Sequence, residues 1–408
     1  MKERISVSGI GMIGPFGTGK ETYWQGVVEG RSFLGPVTRY DVKGLAGEVK
    51  DFSISNHFKD RRATRLPLIT QYALVATMEA IRDARLDMNR CKSDSIAMAY
   101  GTGNGSSEAV AKICRNLLAT GQKSVDPLLF QESVFNAPAS FISIHFGMKG
   151  PCVTLPMGMT AGHYALAVAL NLLKDPAVSL VLVVSSDQVD KSVHEGLGHL
   201  RVLSSNGREE EGSRPFDKTR NGLVFSEGAV ALVVERASDA RERGARIYGE
   251  IAGNAVSHDA YRVADNNPDG RGMSEAMKRA LADAGVGADA IGCVIAAAHS
   301  SRRNDIMETR GIKTALGSRA RSIPVTSIKS SIGETFGPGG LFNVATAFLA
   351  LRDGVVPPTI NYRYPDPECD LDIVANRARV TSLDTVMCNS FNWCGMYGST
   401  IVRRNEGG

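Results

Sequence analysis

Six consecutive apolar residues, Ala165, Leu166, Ala167, Val168, Ala169 and Leu170, follow closely on a run of small residues, and this pairing constrains the chain more than any other stretch. A helix that is apolar on every side has no face to offer to water, so the pattern predicts a helix buried all round inside a layered fold. Just before it, Cys152, Val153, Thr154 and Leu155 read as an alternating strand, and Pro156-Met157-Gly158-Met159-Thr160-Ala161-Gly162-His163 supplies a tight turn. Strand, turn and buried helix have the build of a nucleophile elbow, where the free N–H groups and dipole of the helix start favour a thiolate or an oxyanion. The elbow position is Met159. A thioether has no proton to lose, so covalent catalysis through this residue is excluded. His163, one turn further on, is expected to be a hydrogen-bonded core histidine rather than a base.

The remainder alternates strand with helix, which argues an α/β fold, and the same succession occurs twice. A helical stretch at 71–84 precedes a strand at 95–100 and the loop Gly101-Thr102-Gly103-Asn104-Gly105, while a helix at 274–284 precedes a strand at 292–298. The elbow and its helix correspond likewise to 325–340 followed by an apolar helix at 341–351. The expected organisation is two similar units, 1–251 and 252–408. A chain of 408 residues has ample core for both. The Glu- and Gly-rich stretch 207–214 is expected to be a solvated excursion.

Composition excludes several classes of function. A net charge of +4, from 47 basic and 43 acidic residues, is too balanced to imply nucleic-acid binding. Arg61, Arg62 and Arg65 form a local basic cluster, read most simply as a solvated helix start. Seven scattered cysteines without CxxC spacing indicate reduced thiols in a reducing compartment and no metal site. No apolar run approaches ~20 residues. Met1-Lys2-Glu3-Arg4 leads straight into a strand, so the expectation is a cytoplasmic protein without membrane association. Gly9-Ile10-Gly11-Met12-Ile13-Gly14 fits G-x-G-x-x-G, but Pro15, Gly17 and Gly19 stop the helix that should open there. The overlapping G-x-x-x-x-G-K match ends on Glu21 instead of the Ser or Thr that would hold magnesium. Both are read as a strand end entering a Gly-rich turn.

Gly150-Pro151 separated by seven residues from the elbow position, Pro215-Phe216-Asp217, Arg220-Asn221-Gly222, Ser226-Glu227-Gly228-Ala229, Ser327-Ile328-Lys329-Ser330-Ser331-Ile332-Gly333 and Asn389-Ser390-Phe391-Asn392-Trp393-Cys394-Gly395 occur in one order along the chain. Together they resemble the motif series of the β-ketoacyl synthases, condensing enzymes of the thiolase fold. The resemblance implies two duplicated halves stacked as a five-layer α-β-α-β-α sandwich with the central helices between two sheets. It needs no cofactor. In that family a Cys carries the acyl chain, two His residues stabilise an enolate formed by malonyl decarboxylation, and a Lys anchors the network.

Carried over position by position, the resemblance puts Met159 at the Cys, His299 at the first His, Lys329 at the Lys and Glu334 at the second His. An ionised carboxylate cannot donate a hydrogen bond and repels a developing enolate. Asp305 and Glu308 match the acidic pair after the first His, so the expectation is a charge-compensated structural network. At the pocket mouth, Arg302 and Arg303 stand in a shortened loop where the family has threonines that hold a phosphopantetheine arm, and Arg262 replaces a His. These cations are expected to fill the entrance; binding of the arm's phosphate is the other reading. Trp393 and Cys394 stand in a family turn that supplies part of the oxyanion hole, with Cys394 the one thiol expected near His299. Cys152, Val153, Thr154 and Leu155 would pair with a partner across a two-fold axis, and Phe130, Phe135, Phe141 and Phe146 come from the region bordering a partner's tunnel. The pattern is similar to chain-length factors of type II polyketide systems. That resemblance implies a non-catalytic subunit in a heterodimer with an active ketosynthase, meeting acyl carrier protein through that partner. The alternatives are altered acyl transfer or malonyl decarboxylation using His299 with Cys394, or a homodimeric carrier-binding protein.

Overall fold

A computed structural model describes residues 3–60, 62–121, 126–204 and 211–405. Positions 207–210 of the expected excursion, and Arg61 of the basic cluster, lie outside the described residues. The first half contains β1 (Ile5–Gly14), α1 (Leu68–Asp83), β2 (Ile96–Thr102), α2 (Ser107–Thr120), α3 (Ala137–Phe146), β3 (Cys152–Pro156), α4 (Ala161–Leu172), β4 (Leu180–Asp187), α5 (Lys191–His199) and β5 (Gly228–Arg236). The second contains β6 (Gly249–His258), α6 (Arg271–Ala284), β7 (Cys293–Ile295), α7 (Asn304–Leu316), β8 (Pro324–Thr326), α8 (Gly339–Asp353), β9 (Asp372–Ile373), β10 (Thr385–Asn392) and β11 (Met396–Arg403).

Reading outward from the seam, the first half is ordered β1-β5-β4-β2-β3 and the second β6-β11-β10-β7-β8-β9. In both, the first three strands pair antiparallel and the rest parallel, so the duplication extends to strand direction. The halves join where Ile5, Ser6 and Val7 pair with Ile251, Glu250 and Gly249. Residue 251, the expected division, therefore lies inside β6, which belongs whole to the second half.

Each sheet is covered on both faces, which makes its inner strands continuously apolar. Along β4, Leu182 and Val184 face α1 in one core while Val181 and Val183 face the central helices in another. α4 and α8 touch each other between the sheets, α1 covers the outer face of the first and α6 that of the second. This is the five-layer thiolase arrangement. Among the described residues no helix is long and apolar enough to cross a membrane.

β1 does end in the expected Gly-rich turn, with Gly17 and Gly19 at positive φ, and two of its earlier glycines have a further purpose. Gly9 and Gly11 lie inside β1, and a Cβ on Gly11 would strike the backbone of Ala76 and Ala80 on α1. Gly253 on β6 stands in the same relation to Ala280 and Ala284 on α6. Helix and strand approach so closely that only a missing side chain fits. Gly11→Ala should therefore destabilise by about 1–3 kcal/mol through overpacking, read as a lower urea midpoint. Gly196 on α5 has open space around it, so Gly196→Ala should add up to about 1 kcal/mol of stability through helix propensity, read as a higher urea midpoint.

Candidate active site

β3 ends at Pro156, Gly158 takes a left-handed backbone with φ 58°, a single 3₁₀ turn carries Met159, and α4 opens at Ala161. A side chain at Gly158 would collide with Asn392, so this turn is shaped against the β10–β11 hairpin. Met159 is 1% exposed and packs among Val189, Leu197, Leu203, Leu223, Phe225 and Phe336, with Trp393 against the cluster. Asp187 at the end of β4 fixes the surrounding loops. Its carboxylate accepts from Thr102 Oγ1 at 2.9 Å, Gly103 N at 2.7 Å, Asn104 N at 2.9 Å and Gly337 N at 2.8 Å. Burial pushes this carboxyl up to about 6 against the pull of those donors. His163 is buried with Nε2 3.2 Å from the Cys388 carbonyl, and burial lowers it to about 4, the neutral core histidine expected.

The charged groups divide into three sets. The buried Lys329 Nζ is paired with Glu334 Oε2, and His299 Nδ1 lies 3.4 Å from the same oxygen without hydrogen-bond alignment. Glu334 Oε1 accepts from Phe336 N at 2.9 Å. Burial alone would raise the Glu334 carboxyl, but the Lys329 ammonium and the His299 ring outweigh it and hold the carboxyl below its ordinary value. Asp305 caps the turn after His299, accepting from His299 N and Ser301 N at 3.2 Å each, with Arg220 3.8 Å away. Glu308 accepts from Ala297 N at 2.9 Å and Asn389 Nδ2 at 3.1 Å, and burial pushes it up to about 7. Neither Asp305 nor Glu308 completes the Lys329 pair. Among the described residues no group of His, Cys, Asp and Glu could hold a metal ion.

His299 lines the inner end of a cleft of about 420 Å³, with Leu200, Arg201, Arg303 and Trp393 on its walls. Of the three arginines expected at this entrance, Arg302 and Arg303 line the cleft and Arg262 does not. Arg302 Nε donates to the Arg220 carbonyl at 3.1 Å, Arg303 reaches outward to within 3.6 Å of Asp265, and Arg262 stacks on Tyr261 in a neighbouring groove. Trp393 lines the same cleft, its ring 6.5 Å from His299 and 6.0 Å from Phe336. Cys394 is exposed and, unlike Trp393, is not among the residues lining the cleft with His299.

At the other side of the elbow, β3 is the last strand of its sheet, with Cys152 exposed and Val153, Thr154 and Leu155 half-buried. The helix expected to be buried all round is not. Tyr164, Ala167, Val168 and Leu170 of α4 remain half-open, because α4 lies beside the uncovered sheet edge. Phe130 and Phe135 are exposed, Phe135 over Gly105, whereas Phe141 and Phe146 are half-buried. Phe336 and Asp187 escaped the sequence reading; the positive φ of 57° at Phe336, which aims its ring at Trp393, has no signal in residue type.

Glu334→Gln should leave the Lys329 ammonium buried without its counter-charge and lower stability by about 3–5 kcal/mol, while the double change Lys329→Met with Glu334→Gln should recover most of that loss. Because the Glu334 carboxyl is lowered in the folded state, its contribution is complete above its unfolded value and is lost as pH falls through the folded one. Denaturant midpoints across acid pH should show that slope in the parent and not in Glu334→Gln.

The β-ketoacyl synthase N-terminal domain matches residues 2–240 and the β-ketoacyl synthase C-terminal domain residues 248–363. A 3-oxoacyl-[acyl-carrier-protein] synthase 2 from Synechocystis is 36% identical over 400 residues, 97% of this chain and 96% of that protein. Among solved structures, the ishigamide ketosynthase/chain length factor superposes with TM-score 0.92 at 30% identity, covering 99% of this chain and 100% of the other. A type II PKS acyl-carrier protein in complex with its ketosynthase gives TM-score 0.91 at 26% identity, with 99% and 100% covered. The two domain matches, the duplicated strand order and the elbow between β3 and α4 lead to one conclusion: this chain belongs to the β-ketoacyl synthase family.

Proposed function

We propose that this chain is a ketosynthase-like subunit without condensing chemistry of its own, which pairs with an active ketosynthase and shapes that partner's acyl tunnel, as a chain-length factor does. The observation that carries this reading is Met159, a thioether sealed in an apolar cluster at the turn where the family's nucleophile stands. Glu334 supports it, since its carboxylate neutralises Lys329 and offers no donor to an enolate. The Synechocystis relative is named as a synthase, and the departure at Met159 and Glu334 sets this chain apart from the chemistry that name describes. Relocated acyl transfer through Cys394 has less support, because that thiol stands outside the His299 cleft.

The uncovered faces supply the partner surface. An unpaired β3 edge, half-open apolar residues on α4, and exposed Phe130, Phe135 and Ile144 lie on one stretch of chain. An apolar face joined to a free strand edge is an aggregation hazard unless another chain covers it. In this reading the covering chain is a ketosynthase, the strand edge extends into the partner's sheet, and acyl carrier protein is met through that partner.

Purification alone and with candidate ketosynthases, followed by native mass measurement, should give a one-to-one heterodimer. A stable homodimer that ignores every ketosynthase offered would sink the proposal. Met159→Cys should not confer condensation on this chain, since Glu334 still occupies the second His position and restoring one member of a cooperating set regains little. Elongation by the single variant without a partner, followed by product mass, would contradict that expectation.

A further inference from the structure

We propose a further activity for this chain: hydrolysis of acyl thioesters in the cleft above His299, with His299 as general base toward water, Glu334 as the residue that positions it and Asn221 as donor to the thioester carbonyl. The proposal goes beyond pairing with a ketosynthase and stands whether or not that pairing is found.

Glu334 changes what the imidazole can do. Its Oε2 lies 3.4 Å from His299 Nδ1, and the Lys329 ammonium on the same oxygen helps to keep the carboxylate ionised. A neutral imidazole beside that anion is favoured with its proton on Nδ1, because the other tautomer would set a lone pair against the charge. Nε2 then carries the lone pair. It is an acceptor, unable to donate to an enolate and suited to take a proton from water, as where a carboxylate orients a histidine base. Nε2 has no partner among the described residues, and His299 lines the inner end of the cleft of about 420 Å³. The Nδ1 contact is long and poorly aligned, as catalytic contacts often are before a substrate tightens them. The rest of the residue is fixed. His299 N donates to Asp305 Oδ1 at 3.2 Å, the ring packs 5.0 Å from that of Phe391, and Ser300 turns the chain away with a left-handed φ of 72°.

Asn221 supplies the second group. Gly222 N donates to the Ser300 carbonyl at 2.9 Å, which ties this segment to the turn after His299, and Asn221 lines the same cleft. Gly212 N donates to Ser204 Oγ at 2.9 Å, and the Ser204 hydroxyl in turn donates to Asn221 Oδ1 at 2.7 Å. That relay satisfies Oδ1 and leaves Nδ2, a buried donor, without a partner. A buried donor left unpaired is costly, and a bound carbonyl oxygen removes the cost. In the reaction, the oxygen of water attacks the thioester carbonyl carbon while its proton passes to His299 Nε2, and negative charge gathers on the carbonyl oxygen beside Asn221 Nδ2. The adduct collapses with loss of the C–S bond, Nε2 returns the proton to the departing sulfur, and a carboxylic acid and a thiol leave. No acyl group is carried by the protein, so the thioether of Met159 is no obstacle, and Glu334 acts only through His299.

The test follows thiol release from S-hexanoyl-N-acetylcysteamine by the full-length chain, in the assembly in which it purifies, with heavy-oxygen water as solvent. The parent should release thiol, place one heavy oxygen in each hexanoate and show no acyl mass on the intact chain. His299→Ala should lower kcat/KM by about a hundredfold or more, and Asn221→Ala by about a hundredfold. Glu334→Gln should lower kcat with KM little changed. Lys329→Met with Glu334→Gln restores stability but not the carboxylate, so it should remain as slow; regained activity in that double variant would show Glu334 to be merely structural and overturn its positioning role. A parent rate no higher than that of a folded His299→Ala protein, or acyl mass on the chain, would overturn the proposal as a whole. Should His299→Ala fail to fold, His299→Asn removes the base while keeping a polar side chain and carries the same outcomes.

Discussion

A lysine ammonium 3% exposed, at the meeting of two halves, obliges the chain to bury an anion beside it, and much of the site depends on that obligation. Glu334 satisfies it with one carboxylate oxygen and uses the other to hold Phe336 N. Its backbone is equally committed. Glu334 N donates to the Val224 carbonyl at 2.8 Å and its own carbonyl accepts from Ser226 N at 2.9 Å, which stitches the second-half loop to a segment of the first half. A condensing chamber would need this position free to hydrogen-bond a substrate. Here the same position closes a structural circuit between Lys329, Phe336 and the first half.

Buried carboxylates recur as the means by which loops are held around the elbow. Glu227, fully buried, receives Arg39 through two nitrogens at 2.7 and 2.6 Å, the Tyr72 hydroxyl at 3.0 Å, Val49 N at 2.7 Å and Val189 N at 2.9 Å. Asp187 does the same for the loop after β2 and for Gly337. Ionised oxygens accept several donors each, so one side chain can position three or four segments that have no regular secondary structure of their own. The cost of burying the charge is offset only while all of those donors remain, which makes the loops cooperative with one another.

Much of this was legible in the residues. The alternation of small turn and apolar run located the elbow within a residue or two, and the repeated succession of helix and strand anticipated a duplication that extends to strand direction. What escaped has common physical causes. Apolarity at Ala167, Val168 and Leu170 says that a surface avoids water and not whether this chain or another covers it. The packing role of Gly9 and Gly11 was not visible because its cause, the backbone of α1, lies some seventy positions away. Arg302 and Arg303 line the expected mouth, but long side chains choose among several partners, and the Tyr261 ring draws Arg262 into a neighbouring groove. The contact between Trp393 and Phe336 comes with Phe336 in an uncommon backbone conformation, which no residue pattern announces.

The two halves differ at their outer margins. The second sheet carries an additional strand, β9, only two residues long, whose Asp372 is paired with Arg379 at 2.5 Å. A short, charged terminal strand is a poor template for further pairing. Among the described residues the first half has no such cover beyond β3. Had duplication left both margins alike, each molecule would offer two sticky ends and could string together without limit. With one margin blunted, strand addition at the other could go no further than a pair, so the same asymmetry that leaves one edge open would prevent a fibre.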